Sequence, residues 1–201
     1  MDKPLFIPIL LGTVRQGRES EKVAKLIQAQ IAAHHPEIAT ELVDPRELNL
    51  PMDDEGEDLA PKNQAWHETM LRADGLIIVT PEYNHAFPGS LKRALDVLLK
   101  EYIHKAVGLV GVSSGWAGGA RVIESLVPVV RELGLAVTFT DLYFPRAQDA
   151  FLEDGTPKDE AVYGRIDGFL TELVWMGSTL RWGRENLPSK FHQNQPATPV
   201  E

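Results

Sequence analysis

The sequence predicts an α/β fold built on a doubly wound parallel sheet of five strands in a single domain. Short apolar runs rich in Val, Ile and Leu alternate with longer segments whose apolar residues recur at helical spacing. The runs are apolar throughout rather than alternating, which is typical of parallel strands covered by helices on both faces. Five strand–helix units in about 180 residues make this architecture the leading interpretation.

The predicted strands and helices follow one another in strict alternation. Strands are expected near residues 5–11, 38–43, 75–80, 106–112 and 134–140. Helices are expected over 19–34, 61–73, 89–103, 119–133 and 159–182. The flavodoxin-like strand order 2-1-3-4-5 fits this count.

The chain divides into one domain and a short tail. With 201 residues, 43% of them hydrophobic, it is long enough for one sizeable core, which we assign to residues 1–185. Residues 186–201 are polar and contain proline, and they are predicted to form a C-terminal tail. The connection 44–60 carries an acidic run and is expected to lie at the surface or against a partner.

Composition excludes several functional classes. A formal net charge of −9 argues against a nucleic-acid partner, which needs a clustered basic face. The absence of cysteine excludes disulfides, thiol catalysis and thiolate metal sites, and it is compatible with the cytosol. The apolar run 5–11 is too short to span a bilayer and lacks a signal-peptide cleavage site. A soluble, cytoplasmic protein without a metal site is therefore expected.

The loop after the first strand has the features of a phosphate-binding turn. It reads Gly12-Thr13-Val14-Arg15-Gln16-Gly17-Arg18-Glu19-Ser20, with glycines for tight turning, two hydroxyls and two arginines just before a helix. A helix N-terminus with such donors forms good hydrogen bonds with a phosphate. The same residues also fit an ordinary capped turn with exposed arginines. A nucleotide P-loop is excluded, because Arg18 and Glu19 stand where that motif requires Lys and Ser or Thr.

Two further loops belong to the same edge of the sheet. The third strand ends in Thr80-Pro81-Glu82-Tyr83-Asn84-His85, and the fourth in Ser113-Ser114-Gly115-Trp116-Ala117-Gly118-Gly119. Loops that follow parallel strands emerge together, and open α/β sheets bind their ligands there. Glycines allow a flat polar ring to approach the backbone closely. The three loops together suggest a bound flavin.

Four motifs in register resemble the NAD(P)H-dependent FMN reductase family, whose members include quinone, azo-dye and chromate reductases. The motifs are Gly12-Thr13-Val14-Arg15 with Arg18 and Ser20, then Pro81-Glu82-Tyr83-Asn84, then Pro88-Gly89-Ser90-Leu91-Lys92-Arg93-Ala94-Leu95-Asp96, and the 113–119 loop. Order and spacing agree over residues 5–133.

The resemblance implies a bound FMN, NAD(P)H as electron donor, and a small acceptor such as a quinone, an azo compound or free flavin. It assigns the FMN phosphate to four residues, Thr13, Arg15, Arg18 and Ser20, although many members carry a small hydroxyl residue in place of Arg18. It assigns the isoalloxazine to Pro81, Glu82, Tyr83 and Asn84, and the polar edge of the ring to Ser113, Gly115 and Gly118. It implies no catalytic side chain, since the cofactor carries the chemistry. It also implies a homodimer or a dimer of dimers.

Two other classes stay open. A flavodoxin-like electron carrier or regulatory protein would hold FMN without nicotinamide turnover. A serine hydrolase is suggested by Gly111-Val112-Ser113-Ser114-Gly115, which matches the nucleophile elbow with Ser113 as nucleophile. The histidine that follows it, His192, lies in the polar tail, which is a poor position for a buried base.

Overall fold

The computed structural model describes residues 3–53 and 56–191. Its strands are β1 (Leu5–Phe6), β2 (Ile9–Leu11), β3 (Ile38–Ala39), β4 (Leu42–Val43), β5 (Gly75–Pro81), β6 (Lys105–Val112), β7 (Leu135–Val137) and β8 (Leu142–Phe144). Its helices are α1 (Glu19–His34), α2 (Gln64–Arg72), α3 (Gly89–Asp96), α4 (Ala120–Glu132) and α5 (Ala161–Asn186). Short 3₁₀ turns cover Pro45–Glu47, Ala60–Asn63, Lys100–Tyr102 and Ala147–Asp149.

All strand pairs of the sheet are parallel, and the predicted order is confirmed. The main path runs β4-β2-β5-β6-β7, with β8 also paired to β6, while β1 pairs with β3. Since β1 and β2 are halves of the first strand and β3 and β4 halves of the second, the order is 2-1-3-4-5. The first strand is interrupted because Pro8 lacks an N–H, although its carbonyl still accepts from Ile77 N at 2.9 Å.

Several element boundaries differ from the prediction. The fifth strand, expected at 134–140, is divided into β7 and β8 by a turn over residues 138–141, in which Thr138 Oγ1 donates to the Thr140 carbonyl at 3.2 Å. The helix expected over 89–103 ends at Asp96 and is followed by a 3₁₀ turn. The last helix continues to Asn186, into the first residue of the predicted tail, of which 192–201 lie outside the described residues.

Alternate residues of each central strand point to opposite faces of the sheet. Ile77 and Val79 of β5 pack with α1 and α5, whereas Leu76 and Ile78 pack with α2, α3 and α4. Both faces are therefore covered by helices, which explains why the strands read as continuous apolar runs. None of the helices within the described residues combines the length and apolar character needed to cross a bilayer.

A buried ion cluster fastens α5 to the amino-terminal edge of the sheet. Asp74 accepts from Phe6 N at 2.9 Å and forms ion pairs with Arg181 and, at 2.7 Å, with Arg184. Arg184 also donates to the His104 carbonyl at 2.7 Å. Burial by itself raises the pKa of Asp74, but the hydrogen bonds and charges of the arginines lower it overall.

Lys105 lies beside this cluster and is only 5% exposed. Its amine donates to the carbonyls of Met70 and Leu71. Burial lowers the pKa of Lys105 to about 7, and the neighbouring charge of Arg184 acts in the same direction. The folded protein therefore releases this proton at a much lower pH than the unfolded chain does.

This difference predicts a pH dependence of stability. Between pH 7 and pH 9 the unfolded chain keeps the Lys105 proton that the folded state loses, so this residue makes the free energy of unfolding rise with pH. The slope from one proton is at most about 1.4 kcal/mol per pH unit. Lys105→Met should remove that contribution. Urea unfolding of both proteins at pH 7, 8 and 9 measures it, and parallel pH profiles would contradict the assignment.

Candidate functional site

A cavity of about 410 Å³ opens at the carboxyl edge of the sheet. Four loops contribute to it, those after β2, β5, β6 and β8. The lining residues are Thr13, Arg15, Gly17, Arg18, Glu19, Ser20, Pro81, Glu82, Tyr83, Val112, Ser113, Ser114, Ala147 and Gln148. The first, third and fourth loops, which the sequence placed at one edge, therefore lie around one cavity.

A larger cavity of about 710 Å³ lies elsewhere, between α2 and the segment 96–101. Carboxylates dominate its charged lining, from residues Glu57, Asp58, Asp96 and Glu101. Such a wall repels a phosphate, whereas the smaller cavity combines arginine, hydroxyl groups and a helix start. The smaller cavity is the better candidate for an anionic ligand.

The first loop closes the cavity on one side because of its two glycines. A Cβ at Gly12 would lie 2.8 Å from the Thr80 Cα, so only glycine allows the first loop to approach the third so closely. Gly17 has φ +63°, the left-handed conformation that lets the chain turn into α1. The helix then begins at Glu19, and no side chain in the described part of the chain caps its N-terminus. Its uncapped N–H groups give this end of the cavity a positive potential.

Two hydroxyls from the first loop stand at the cavity wall. Thr13 is 2% exposed, and its Oγ1 lies 3.2 Å from the Tyr83 hydroxyl and accepts from Arg15 N at 3.3 Å. The Oγ of Ser20 is buried and has no hydrogen-bond partner among the described residues. A buried polar atom without a partner needs an explanation, and an oxyanion in the cavity supplies one.

The two arginines of this loop have different environments. Arg15 is exposed at the cavity rim and forms no ion pair with any residue in the described ranges. The Arg18 side chain is only 2% exposed, and its guanidinium pairs with Asp44 and Glu21 and donates to the Thr13 carbonyl. In this arrangement the Arg18 guanidinium faces two carboxylates of the protein, whereas Arg15 is free of ion pairs with the described residues.

The third loop presents Pro81, Glu82 and Tyr83 to the cavity and then turns away. Tyr83 N donates to the Ala86 carbonyl at 2.8 Å, and Ala86 N donates back at 3.0 Å. Between them Asn84 and His85 both have positive φ, 50° and 67°, as in the tight turns that join hairpin strands. Asn84, which the sequence analysis placed in the site, does not line the cavity.

The Glu82 side chain is 8% exposed. Its Oε1 lies 3.6 Å from Arg121 Nη1, and its Oε2 has no hydrogen-bond partner among the described residues. The Glu82 N–H donates to the Val112 carbonyl at 2.9 Å, so the end of β5 continues the pairing with β6. This arrangement leaves an unsatisfied acceptor beside the cavity.

The fourth loop contributes its serines but not its glycines. Ser113 and Ser114 line the cavity, whereas Gly115 and Gly118, both predicted site residues, do not. The Gly115 carbonyl accepts from Arg146 N at 3.1 Å, and the Gly118 carbonyl accepts from Phe144 N at 3.2 Å. Their function in the fold is to connect this loop to the end of the fifth strand.

The geometry gives little support to a hydrolase. Ser113 Oγ accepts from Gly115 N at 3.0 Å. No histidine of the described residues lines the cavity. His192, the base that the hydrolase interpretation relied on, lies outside the described residues.

Sequence reasoning missed the turn after β8. Ala147 and Gln148 of the 3₁₀ turn line the cavity, and Ala147 N donates to the Ser113 carbonyl at 3.0 Å. The sequence does contain a signal for this turn: a second short apolar run, 142–144, is followed by Pro145, which ends a strand. The prediction ended the fifth strand at residue 140 and assigned no site residue to the loop after residue 144.

The sequence matches a known protein family and several named relatives. The family described as NADPH-dependent FMN reductase matches residues 7–149. An NADPH azoreductase from Bacillus sp. (strain OY1-2) is 33% identical over 119 residues, 59% of this chain and 64% of the relative. A quinone reductase from Escherichia coli (strain K12) is 32% identical over 133 residues, 60% of this chain and 66% of the relative. The chain thus aligns with just under two thirds of the length of each.

A solved structure shares the fold. FerB, a flavoenzyme NAD(P)H:(acceptor) oxidoreductase from Paracoccus denitrificans, superposes with a TM-score of 0.75. The superposition covers 87% of this chain and 98% of FerB, at 21% sequence identity. At this level of identity the likeness concerns the fold alone.

The backbone contact between β6 and α4 predicts a difference between two glycines. A Cβ at Gly111 would lie 2.7 Å from the Gly119 carbonyl oxygen, whereas a Cβ at Gly115 would meet only Ser113 Oγ at 3.5 Å. Gly111→Ala should lower the free energy of unfolding by about 1–3 kcal/mol because backbone must move. Gly115→Ala, the matched control, should change it by less than about 0.5 kcal/mol. Urea unfolding compares them, and equal values would contradict this account.

Proposed function

The chain belongs to the NADPH-dependent FMN reductase family, and on that premise we propose that it is an FMN-dependent oxidoreductase. It passes electrons from NAD(P)H to a small acceptor such as a quinone, an azo compound or free flavin. The observation that carries the proposal is the cavity at the sheet edge, where, among the described residues, Ser20 Oγ has no hydrogen-bond partner and Arg15 no ion pair beside the start of α1. An anionic group is the ligand that these three features satisfy together.

The residues at the cavity fit FMN at both of its ends. Thr13, Arg15 and Ser20 would hold the phosphate, with the first N–H groups of α1 adding hydrogen bonds and a positive potential. Pro81, Glu82, Tyr83, Ser113 and Ser114 would form the wall for the isoalloxazine. Asn84, Gly115 and Gly118, which lie outside the lining, would shape the loops that carry those residues.

The protein's part in the reaction is binding and orientation. FMN, when bound, supplies the hydride-accepting and electron-donating chemistry. Arg15 and the helix start neutralise the phosphate charge, which fixes one end of the cofactor. The Ser113–Ser114 segment offers polar groups near the fourth strand, where a fixed dipole stabilises negative charge without reorganisation. We assign no catalytic acid or base.

The proposal also includes an oligomeric state and a cellular location. A homodimer, or a dimer of dimers, is supported by a large apolar side chain at the surface of the connection 44–60, that of Met52, which is 91% exposed. The helix after Pro88 and the acidic connection 44–60 are the proposed contacts. A cytoplasmic location is proposed from the cysteine-free sequence.

The central prediction is a yellow protein with nicotinamide turnover. After reconstitution, the purified chain should retain FMN by absorbance and oxidise NADPH or NADH with 1,4-benzoquinone as acceptor, because the cavity provides both a phosphate site and an open ring wall. The protein stripped of FMN is the control. Bound FMN without NAD(P)H oxidation would favour an electron carrier, and failure to bind FMN would contradict both flavin functions.

Arg15 should contribute directly to FMN affinity. Arg15→Ala should weaken FMN binding about 10- to 100-fold, the effect of losing a hydrogen bond between charged partners. Arg131→Ala removes an exposed arginine on α4, away from the cavity, and should leave binding unchanged. Quenching of FMN fluorescence gives both dissociation constants. A wild-type value for Arg15→Ala would remove Arg15 from the phosphate site.

A further inference from the structure

A buried ion pair lies directly beneath the first loop. Arg18 Nη2 pairs with Asp44 Oδ2 at 2.5 Å, and Arg18 Nη1 donates to Asp44 Oδ1 at 3.1 Å. The two side chains are 2% and 16% exposed. Asp44 directly follows β4, the strand that pairs with β2. The ion pair therefore joins the first loop to the end of a neighbouring strand.

The same guanidinium also contacts the backbone of the loop. Arg18 Nη1 donates to the Thr13 carbonyl, and Thr13 Oγ1 lies 3.2 Å from the Tyr83 hydroxyl. A chain of polar contacts therefore runs from Asp44 through Arg18 and Thr13 to the third loop.

The charge of Arg18 is balanced inside the protein. Glu21 Oε2 lies 3.3 Å from Arg18 Nε, and Asp44 takes the opposite side of the guanidinium. Burial alone would raise the pKa of the Asp44 carboxyl, but Arg18 and Arg46 hold that pKa well below its usual range. The pair is therefore ionised at neutral pH. Removing one partner leaves a buried charge uncompensated, which is more costly than losing a surface pair.

We infer that Arg18 and Asp44 are positioning residues that hold the first loop in its phosphate-binding form. Asp44 does not line the cavity, yet by fixing Arg18 it fixes the Thr13 carbonyl and so the orientation of the Thr13 hydroxyl and the Arg15 N–H. The affinity for phosphorylated flavin then depends on a carboxylate that never touches the ligand. This inference rests on the proposed FMN-binding function.

The test depends on the direction in which one substitution, Asp44→Asn, changes the affinity for FMN. If Arg18 were a phosphate ligand held back by Asp44, Asp44→Asn would free its charge and tighten FMN binding. If the pair positions the loop, Asp44→Asn weakens FMN binding, by about tenfold. The affinity for riboflavin, which has no phosphate, should fall by less than about twofold, because the contacts of riboflavin lie on the other loops.

Arg46 supplies the matched control. It donates to Asp44 Oδ2 through Nε at 2.8 Å, but its side chain is 44% exposed and it does not line the cavity. Arg46→Gln should leave the ratio of FMN to riboflavin affinity unchanged.

Arg18→Lys provides a second variant in case Asp44→Asn fails to fold, since lysine keeps the positive charge and loses the bidentate contact with Asp44. Arg18→Lys should also lower the affinity for FMN more than the affinity for riboflavin.

Fluorescence titration of each apoprotein with FMN and riboflavin, together with its urea unfolding curve, gives the readouts. Selective loss of FMN affinity in a folded variant supports the inference. Unchanged or tighter FMN binding in Asp44→Asn overturns it, as does an equal loss for both flavins. Absence of FMN binding by the wild-type protein would instead overturn the proposed function, so the two failures are distinguishable.

Discussion

The architecture of the site depends on the long parallel pairing between β5 and β6. Seven residue pairs, from Gly75 with Ala106 to Pro81 with Val112, set the register of the two strands. The Glu82 N–H continues this ladder by donating to the Val112 carbonyl at 2.9 Å. Since both strands end at the same level, the third and fourth loops leave the sheet side by side. The cavity is the space that these loops and the first loop leave between them.

Charge is distributed unevenly between the molecule and its cavity. The chain carries a net charge of −9, yet the cavity presents Arg15 and an uncapped helix start. Glu19, which would oppose an anion at the same helix end, pairs with Lys22 at 2.8 Å. The local potential at the site is thus set by which side chains are paired internally and not by the overall charge.

Sequence patterns were sufficient for the fold and for much of the cavity wall. The apolar runs predicted the five parallel strands and their order, because a strand buried on both faces leaves a continuous signal. Loop chemistry placed Thr13, Ser20 and Tyr83 together, since they follow neighbouring strands. The pairing state of Arg18 could not be predicted, because its partner Asp44 lies 26 positions away and only the folded chain brings it close. The fifth strand divides at a turn in which Thr138 Oγ1 donates to the Thr140 carbonyl at 3.2 Å, a local contact that the apolar pattern does not indicate.

Both edges of the sheet consist of interrupted strands. The interior strands β5 and β6 have seven and eight residues, but the outer ones are split into β3 with β4 and β7 with β8, each two or three residues long. On one edge Thr40 Oγ1 donates to the Ile7 carbonyl at 2.7 Å in the interval between β3 and β4. Within the described residues, an incoming strand from another molecule meets no outer strand longer than three residues to pair with. Such short outer strands oppose edge-to-edge association of this strongly apolar sheet.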